Sequence, residues 1–282
     1  MFDHRRRNSM NETVKKGMDG VYPFPVSGRA GQPRSTGLTM VIDMGSGLAA
    51  TQDLLDYAGY CIDMFKLSSG TMALYPDPIL RRKVELIRSR GIEVEAGGSH
   101  FEVANWKGAS TKYFRKLVEL GVDVVEIADG HLPLADSVRI DRIKEAKDLG
   151  LKVATEVGKK EPSKNLKAQT ILEQYRENID AGSDYIIIEG KASGMDVGIF
   201  DEKGNIDESE LAEITCGISD MGRVIWEAPL RPQQQALILR FGPNVNLGNI
   251  FPQEVYPLEL LRNGLMLSPL IEAYKRERGE SK

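Results

Sequence analysis

From Gly37 onward, short runs rich in β-branched and aliphatic residues alternate with longer stretches in which apolar residues recur every three or four positions. The short runs predict eight strands, at residues 39–43, 62–66, 92–96, 123–127, 151–156, 184–189, 223–227 and 244–247. The longer stretches predict helices at residues 78–90, 135–149, 167–181, 208–221, 232–241 and 253–265. Glycine follows several of these helices, as expected where a left-handed residue ends a helix and leads into a strand.

Strands that alternate with helices at this spacing predict the α/β class, and eight of them predict a single (β/α)8 TIM barrel over residues 37–268. The alternative is an open, doubly wound sheet. It is disfavoured because the run from Asp43 to Gly47, after the first strand, does not complete the glycine-rich dinucleotide fingerprint. Residues 1–36 are polar and lack periodicity, which predicts a loosely ordered N-terminal leader. Residues 269–282 are expected to form a polar C-terminal tail.

Composition narrows the classes of partner and compartment. The 282-residue chain has a formal net charge of −4, so no global basic field points to nucleic acid. No apolar run approaches the roughly 20 residues needed to cross a bilayer, and we therefore expect no membrane partner. Cys61 and Cys216 stand in different segments without metal-ligand spacing, which is typical of reduced thiols. We therefore expect a cytoplasmic protein.

Four predicted strands carry a glutamate at or next to their C-terminal end. They are Glu126, Glu156, Glu189 and Glu227. In a parallel barrel, the C-terminal strand ends and the loops after them face one mouth, where active sites lie. Buried charges are costly unless they are paired or bind a metal ion. The set therefore predicts an enzyme acting on an anionic substrate with a divalent cation. An ion-pair network that braces the barrel is the structural alternative.

Magnesium is the predicted cation, because it prefers oxygen ligands and one to three carboxylates plus substrate oxygens are enough to bind it. We predict Glu156, Glu189 and Glu227 as its ligands, and the first two lie on neighbouring strands. Glu126 is predicted as a catalytic carboxylate that could also bind the metal. The three histidines of the chain share no chelating spacing, which argues against a zinc site.

Other polar residues near the strand ends are candidates for contacts with substrate. Lys66 closes the second predicted strand and is a candidate catalytic lysine, able to form a Schiff base, neutralise a carboxylate or donate a proton. His100, after the third strand, is a candidate for substrate binding, with a surface histidine as the equal alternative. The loop after the last strand is a candidate phosphate site. Its candidate residues are Asn246, Gly248 and Asn249.

Seven segments in order along the chain read KLSSGT (66–71), GGSHFE (97–102), EIADG (126–130), EVGKK (156–160), IIEGKASG (187–194), IWEAPLRPQQ (225–234) and GPNVNLGNI (242–250). At these barrel positions, they resemble the phosphosulfolactate synthase family of coenzyme M biosynthesis. The resemblance covers roughly residues 37 to 265, which is nearly all of the chain after the predicted leader.

The resemblance implies Mg²⁺-dependent addition of sulfite to phosphoenolpyruvate, giving (R)-2-phospho-3-sulfolactate. Lys159 is then the predicted general acid that protonates C2, since it lies nearer to the strand end than Lys160. Lys160, Lys191 and Arg231 would hold phosphate and sulfonate, and Ser193 is a further substrate-binding candidate. The resemblance also implies a homo-oligomer, suspected to be a trimer.

Two departures from the family pattern lie in loops expected to line the pocket. The family's usual Trp-Gly pair is Ser68-Ser69 here, and its usual Thr-Leu pair is Ser99-His100. Since loss of the tryptophan would open the pocket, the same barrel and phosphoenolpyruvate could serve a different nucleophile. A third hypothesis is a non-catalytic, stress-related scaffold. It is disfavoured because a protein freed from catalysis has no physical reason to keep costly charges at the mouth.

Overall fold

The computed structural model describes residues 15–160 and 166–280. Eight parallel strands form a closed barrel in which each strand pairs with the next in sequence and the last pairs with the first. The strands are β1 (Thr39–Asp43), β2 (Met64–Leu67), β3 (Glu93–Ala96), β4 (Val124–Ile127), β5 (Lys152–Val157), β6 (Tyr185–Ile188), β7 (Val224–Glu227) and β8 (Leu247–Ile250). The prediction of a single (β/α)8 barrel is confirmed.

Amphipathic helices surround this barrel and bury their apolar sides against the strands. They are α1 (Leu48–Ala58), α2 (Asp77–Arg88), α3 (Gly98–Trp106), α4 (Ser110–Leu120), α5 (Asp136–Asp148), α6 (Ala168–Ala181), α7 (Glu208–Gly217), α8 (Arg231–Phe241), α9 (Val255–Arg262) and α10 (Leu267–Glu277). Two helices, α3 and α4, separate β3 from β4, and neither was among the predicted helices. None of the helices in the described residues is long and apolar enough to cross a membrane.

Among the strands, the largest difference from the predicted boundaries is at the last one, which begins at Leu247 rather than at residue 244. Asn246, just before it, uses its side chain to accept from the Leu38 N–H and to donate to the carbonyls of Gly222 and Val224. These partners lie at the N-terminal ends of neighbouring strands. Asn246 therefore lies at the end of the barrel opposite to the one that the sequence predicted.

The chain end also differs from the expectation. Residues predicted as part of a polar tail form most of α10, which buries Pro269 and Ala273 against the rest of the protein. Leu267, Leu270, Ile271 and Tyr274 recur at helical spacing in this segment although they stay largely exposed, so the sequence carried a helical pattern that the prediction missed.

Side chains inside the barrel form two layers. The lower layer is apolar and consists of Met40, Met64, Val124, Ala154, Ile187 and Ile225. Because side chains alternate along a strand, the residue two positions further on points to the same side. On five of these strands that residue is charged: Lys66, Glu126, Glu156, Glu189 and Glu227. A buried charged layer therefore lies directly above the apolar one, towards the C-terminal strand ends.

The predicted leader is partly tied to the barrel. Residues 1–14 lie outside the described residues, and residues 15–36 contain no helix or strand. Arg34 pairs with Asp63 at 2.9 Å and Arg29 pairs with Glu259 at 3.1 Å, and all four side chains are largely buried. Asp63 also accepts from the Thr39 N–H at the start of β1. This segment therefore lies across the N-terminal ends of the strands, a location that its composition did not reveal.

Candidate active site

A cavity of about 850 Å³ opens at the C-terminal ends of the strands. Nine of the residues predicted from the sequence line it: Lys66, Glu126, Glu156, Lys159, Lys160, Glu189, Lys191, Glu227 and Asn249. They come from six different strands or the loops after them. The barrel closure therefore brings together side chains that are up to 183 positions apart in the sequence (Lys66 to Asn249).

Lys66 is held between two carboxylates. Its Nζ lies 2.6 Å from Glu126 Oε2 and 2.9 Å from Glu227 Oε1, and all three side chains are buried. Burial alone would lower the pKa of Lys66, but Glu126 and Glu227 outweigh it and raise the pKa above its usual value. Lys66 is therefore a charged ammonium that offsets negative charge on Glu126 and Glu227. Because a Schiff base requires an uncharged amine, this charge disfavours a Schiff base at this position.

A second cluster joins β5 and β6. Lys160 Nζ donates to Glu156 Oε2 at 2.8 Å and also to Glu189. Burial raises the pKa of Glu189, and the adjacent Glu156 raises it further. Burial would likewise raise the pKa of Glu156, but Lys160 outweighs it and holds that pKa at about 2. Glu156 is thus the member of the pair that ionises more readily, and burial disfavours the ionised form of Glu189.

The three predicted metal ligands converge. Glu156, Glu189 and Glu227 each place one carboxylate oxygen within 4.8 Å of the others. Oε1 of Glu156 is buried and has no hydrogen-bond partner among the described residues. Three buried carboxylates with a free oxygen match the oxygen ligands that Mg²⁺ prefers. The residues present therefore fit a magnesium ion.

A fifth buried glutamate was missed by the sequence analysis. Glu95 on β3 is the register partner of Lys66 on β2, and it has no exposed surface. Neither carboxylate oxygen of Glu95 has a hydrogen-bond partner among the described residues, and burial raises its pKa. The sequence pattern that could have revealed it is the polar–apolar–polar run Glu93, Val94 and Glu95. Because side chains alternate along a strand, Glu93 and Glu95 point to the same side of β3.

Carboxylates outnumber ammonium groups in this charged layer. Its glutamates are Glu95, Glu126, Glu156, Glu189 and Glu227, and all are at most 3% exposed. Its lysines are Lys66 and Lys160, each already in contact with two glutamates. Two lysines cannot compensate five ionised glutamates, so some of the carboxyl groups must hold a proton or a cation must bind beside them. The excess favours a divalent cation over the structural alternative.

Lys159, the predicted general acid, lies on the cavity wall next to this charged layer. It pairs with the carboxylate of Asp129 and donates to the Asp129 carbonyl at 2.9 Å. Burial raises the pKa of Asp129, although the nearby Lys159 opposes that effect. Both groups line the cavity, so the ammonium of Lys159 is oriented by its partner and remains beside the space for substrate.

Five predicted substrate residues are not at the cavity: Arg231, Ser193, Asn246, Gly248 and His100. Arg231 binds Glu254 through two hydrogen bonds, of 2.8 and 2.9 Å, and Ser193 is exposed and outside the cavity wall. Asn246 lies at the opposite end of the barrel, as described above. Gly248 is inside the wall, where an added Cβ would collide with Met40 and lie 3.0 Å from Ile225 Cγ2. Its role is to leave room for the apolar layer.

Asn249 follows the prediction, while His100 does not. Asn249 lines the cavity and donates to the Lys191 carbonyl at 3.4 Å. His100 packs on the ring of Tyr113, with ring centroids 4.8 Å apart, and it is not part of the cavity wall. Burial lowers the pKa of His100, which favours a neutral packing residue. The histidine on the cavity wall is His131, which the sequence analysis had not selected.

Comparisons with known proteins agree with the family resemblance that the sequence motifs indicated. The family model described as (2R)-phospho-3-sulfolactate synthase (ComA) matches residues 27–267. A phosphosulfolactate synthase of Methanothermobacter thermautotrophicus is 37% identical over 247 residues, covering 87% of this chain and 95% of that protein. The one from Methanocaldococcus jannaschii is 41% identical over 232 residues, covering 81% and 92% respectively. A phosphosulfolactate synthase of Bacillus subtilis is 32% identical and covers 84% of this chain.

Solved structures of other enzymes share the barrel. The 3-hexulose-6-phosphate synthase from Salmonella typhimurium aligns with a TM-score of 0.54 at 12% identity, over 81% of this chain and 100% of that chain. A phosphonopyruvate hydrolase complex with oxalate and Mg²⁺ aligns with a TM-score of 0.52 at 14% identity, over 86% of this chain and 91% of that chain. At these identities the likeness shows the fold alone.

Proposed function

The chain belongs to the (2R)-phospho-3-sulfolactate synthase family, and from this premise we propose that it adds sulfite to phosphoenolpyruvate to give (R)-2-phospho-3-sulfolactate, assisted by Mg²⁺. The observation that carries the proposal is the excess of buried glutamates over buried lysines at a cavity whose wall also includes Lys159 and Lys191. An acidic mouth repels an anionic substrate unless a cation is bound there. Mg²⁺ held by the carboxylates would supply the positive charge that allows an anionic substrate to bind beside them.

Glu156, Glu189 and Glu227 would hold the ion. When bound, it supplies a Lewis acid that stabilises negative charge developing on the substrate carboxylate. Lys66 and Lys160 keep the remaining carboxylates compensated, and Glu126 fixes Lys66 from the side opposite to Glu227. The protein therefore fixes the charge distribution of the site before substrate arrives.

The covalent step joins the sulfur of sulfite to the methylene carbon, C3, of phosphoenolpyruvate. The electron pair of the C2–C3 double bond moves towards the carboxylate, and C2 then takes a proton. We assign this proton to the Nζ of Lys159, which Asp129 orients on the cavity wall. Lys191 and Asn249 line the cavity beside the metal ligands and are placed to contact phosphate or sulfonate oxygens.

The test is incubation of the purified protein with phosphoenolpyruvate, sulfite and Mg²⁺, followed by mass spectrometry. We expect a phosphosulfolactate mass that disappears when EDTA is added. Lys159→Met should lower turnover by about 10²-fold or more, as loss of a general acid does. Lys116→Met is the matched control, because Lys116 lies on the exposed side of α4, half exposed and away from the cavity. Normal turnover in the Lys159 variant would rule out its assignment.

A second candidate function keeps the site and changes the nucleophile. Ser68, Ser69 and Ser99 form part of the cavity wall, where small side chains leave space for a group larger than sulfite. The two candidates separate in one experiment. Phosphoenolpyruvate that binds in a Mg²⁺-dependent manner without forming a sulfite product favours the second, and thiols are then the next nucleophiles to supply. Absence of any such binding would favour the non-catalytic hypothesis.

A further inference from the structure

His131 lies in the loop after β4 and forms part of the cavity wall, with its side chain about half exposed. Its Nδ1 lies 3.0 Å from Oε2 of Glu102, a residue of α3 whose side chain is only 4% exposed. The backbone N–H groups of His131 and Leu132 donate to the other oxygen of Glu102, at 2.8 and 3.4 Å. Glu102 therefore fixes both the loop and the imidazole ring.

This contact determines which ring nitrogen is available. A carboxylate accepts hydrogen bonds, so it favours the imidazole form in which Nδ1 carries the proton. Nε2 is then the unprotonated nitrogen, and among the described residues it has no hydrogen-bond partner. A base whose orientation is set by a buried carboxylate, and whose residue forms part of the cavity wall, has the arrangement that general-base catalysis requires.

The other ionisable groups near His131 are already engaged. Asp129 pairs with Lys159, and Lys160 pairs with Glu156 and Glu189. The Lys160 backbone N–H also donates to the carbonyl of Gly130, next to His131, at 3.2 Å. From α3, Glu102 faces the ring. Among these groups, His131 is the one whose second ring nitrogen is not engaged, and it is two positions after Asp129, which orients the proposed proton donor Lys159.

We propose that His131 is a catalytic base that takes the proton of the incoming nucleophile, and that Glu102 is the residue that positions it. The inference rests on the proposed function. Bisulfite transfers its proton to Nε2, the sulfur lone pair forms the bond to C3, and Lys159 supplies a proton to C2. One proton enters His131 and one leaves Lys159, and exchange with solvent restores both residues.

The kinetic test compares His131→Gln with the unaltered protein across the pH range. At about pH 7, where bisulfite is still abundant, we expect kcat/KM for the sulfur nucleophile to fall by about 10²-fold. At about pH 9 the sulfite dianion needs no base, so the loss should shrink to a few-fold. Glu102→Gln should show a smaller loss with the same pH trend, and Lys116→Met should show none. A loss of equal size at both pH values would overturn the proposal.

A second measurement keeps the inference separate from the proposed function. The chain has three histidines, so ¹⁵N-labelled imidazoles give a simple spectrum in which His131→Gln identifies the signal of His131. We expect Nδ1 to carry the proton and Nε2 to shift when sulfite is added with phosphoenolpyruvate and Mg²⁺. If the protein forms no phosphosulfolactate, the proposed function fails. The ¹⁵N spectrum still shows which ring nitrogen of His131 carries the proton and whether Nε2 responds to the ligands. A His131 signal that does not respond to these ligands, or a proton on Nε2, would overturn the assignment.

Discussion

The two ends of the barrel both bury charged side chains, but they do so in opposite ways. At the N-terminal end, Arg34 pairs with Asp63 and Arg29 with Glu259. Arg262, which has no exposed surface, donates instead to the backbone carbonyls of Leu38, Pro243 and Val245. At this end, each of these groups has protein partners.

At the C-terminal end, five glutamates share two lysines, and Glu95 has no hydrogen-bond partner among the described residues. Both ends face the same desolvation cost. The first end compensates this cost with partners inside the protein, while the second end leaves carboxyl groups without a cationic partner, which are available to bind a cation. Fully paired buried charges thus indicate structure, and an unbalanced set indicates a ligand.

The largest expected effect comes from exchanging a carboxylate for its amide at each end. Glu189→Gln removes a metal ligand and should lower Mg²⁺-dependent turnover by about 10²-fold or more, since metal ions supply several kcal/mol of charge stabilisation. Its stability without Mg²⁺ should not fall, because burial and the neighbouring Glu156 already raise the pKa of Glu189. Asp63→Asn should do the reverse, lowering stability while leaving turnover intact. Steady-state kinetics and urea unfolding of both variants test this contrast.

The next effect concerns the paired end alone. Arg34→Met leaves Asp63 buried without its guanidinium partner, and we expect the free energy of unfolding to fall by about 3–5 kcal/mol. Arg81→Met on α2 is the matched control, since Arg81 pairs with Asp77 and Glu119 at side chains that are 41% to 57% exposed. Exposed pairs contribute about 1 kcal/mol or less. Equal losses in the two variants would contradict the distinction between buried and exposed pairs.

Magnesium should stabilise the unbalanced end. At a Mg²⁺ concentration 100 times its dissociation constant, binding to the folded state should add about 2.7 kcal/mol to the free energy of unfolding. The melting temperature should therefore rise with Mg²⁺, return to its starting value with EDTA, and stay constant in Glu189→Gln. A Mg²⁺-induced rise of equal size in that variant would place the ion elsewhere.

The smallest expected effect is a pH-dependent gain in the free energy of unfolding when Glu95 is replaced by glutamine. Burial raises the pKa of Glu95, so the folded protein keeps a proton that the unfolded chain loses above its ordinary pKa of about 4.3. Stability then falls as pH rises from that value towards the folded pKa, by up to about 1.4 kcal/mol per pH unit. Glu95→Gln cannot ionise and escapes this loss. Urea unfolding should show little difference near pH 4 and a stabilised variant at neutral pH, whereas a destabilised variant at neutral pH would contradict this account.

Local patterns in the sequence were enough to predict the barrel and much of its mouth. A short apolar run bounded by turn residues reads as a buried strand wherever it occurs, and the ends of parallel strands meet at one face. For that reason Glu156, Glu189 and Glu227 could be placed together although 71 positions separate the first from the last. Lys66 and Glu126 were found by the same rule.

Residues whose role depends on register or on a partner from another element could not be assigned in this way. A three-residue shift of β8 moved Asn246 to the opposite end of the barrel, and a hydrogen-bond partner on a later segment, Glu254, drew Arg231 away from the cavity. The sequence by itself determined the eightfold repeat and the acids at its strand ends, because periodicity is local. The tertiary structure alone decided that Glu95 is unpaired and that Glu102 orients His131, because charge balance and side-chain orientation depend on contacts between distant segments.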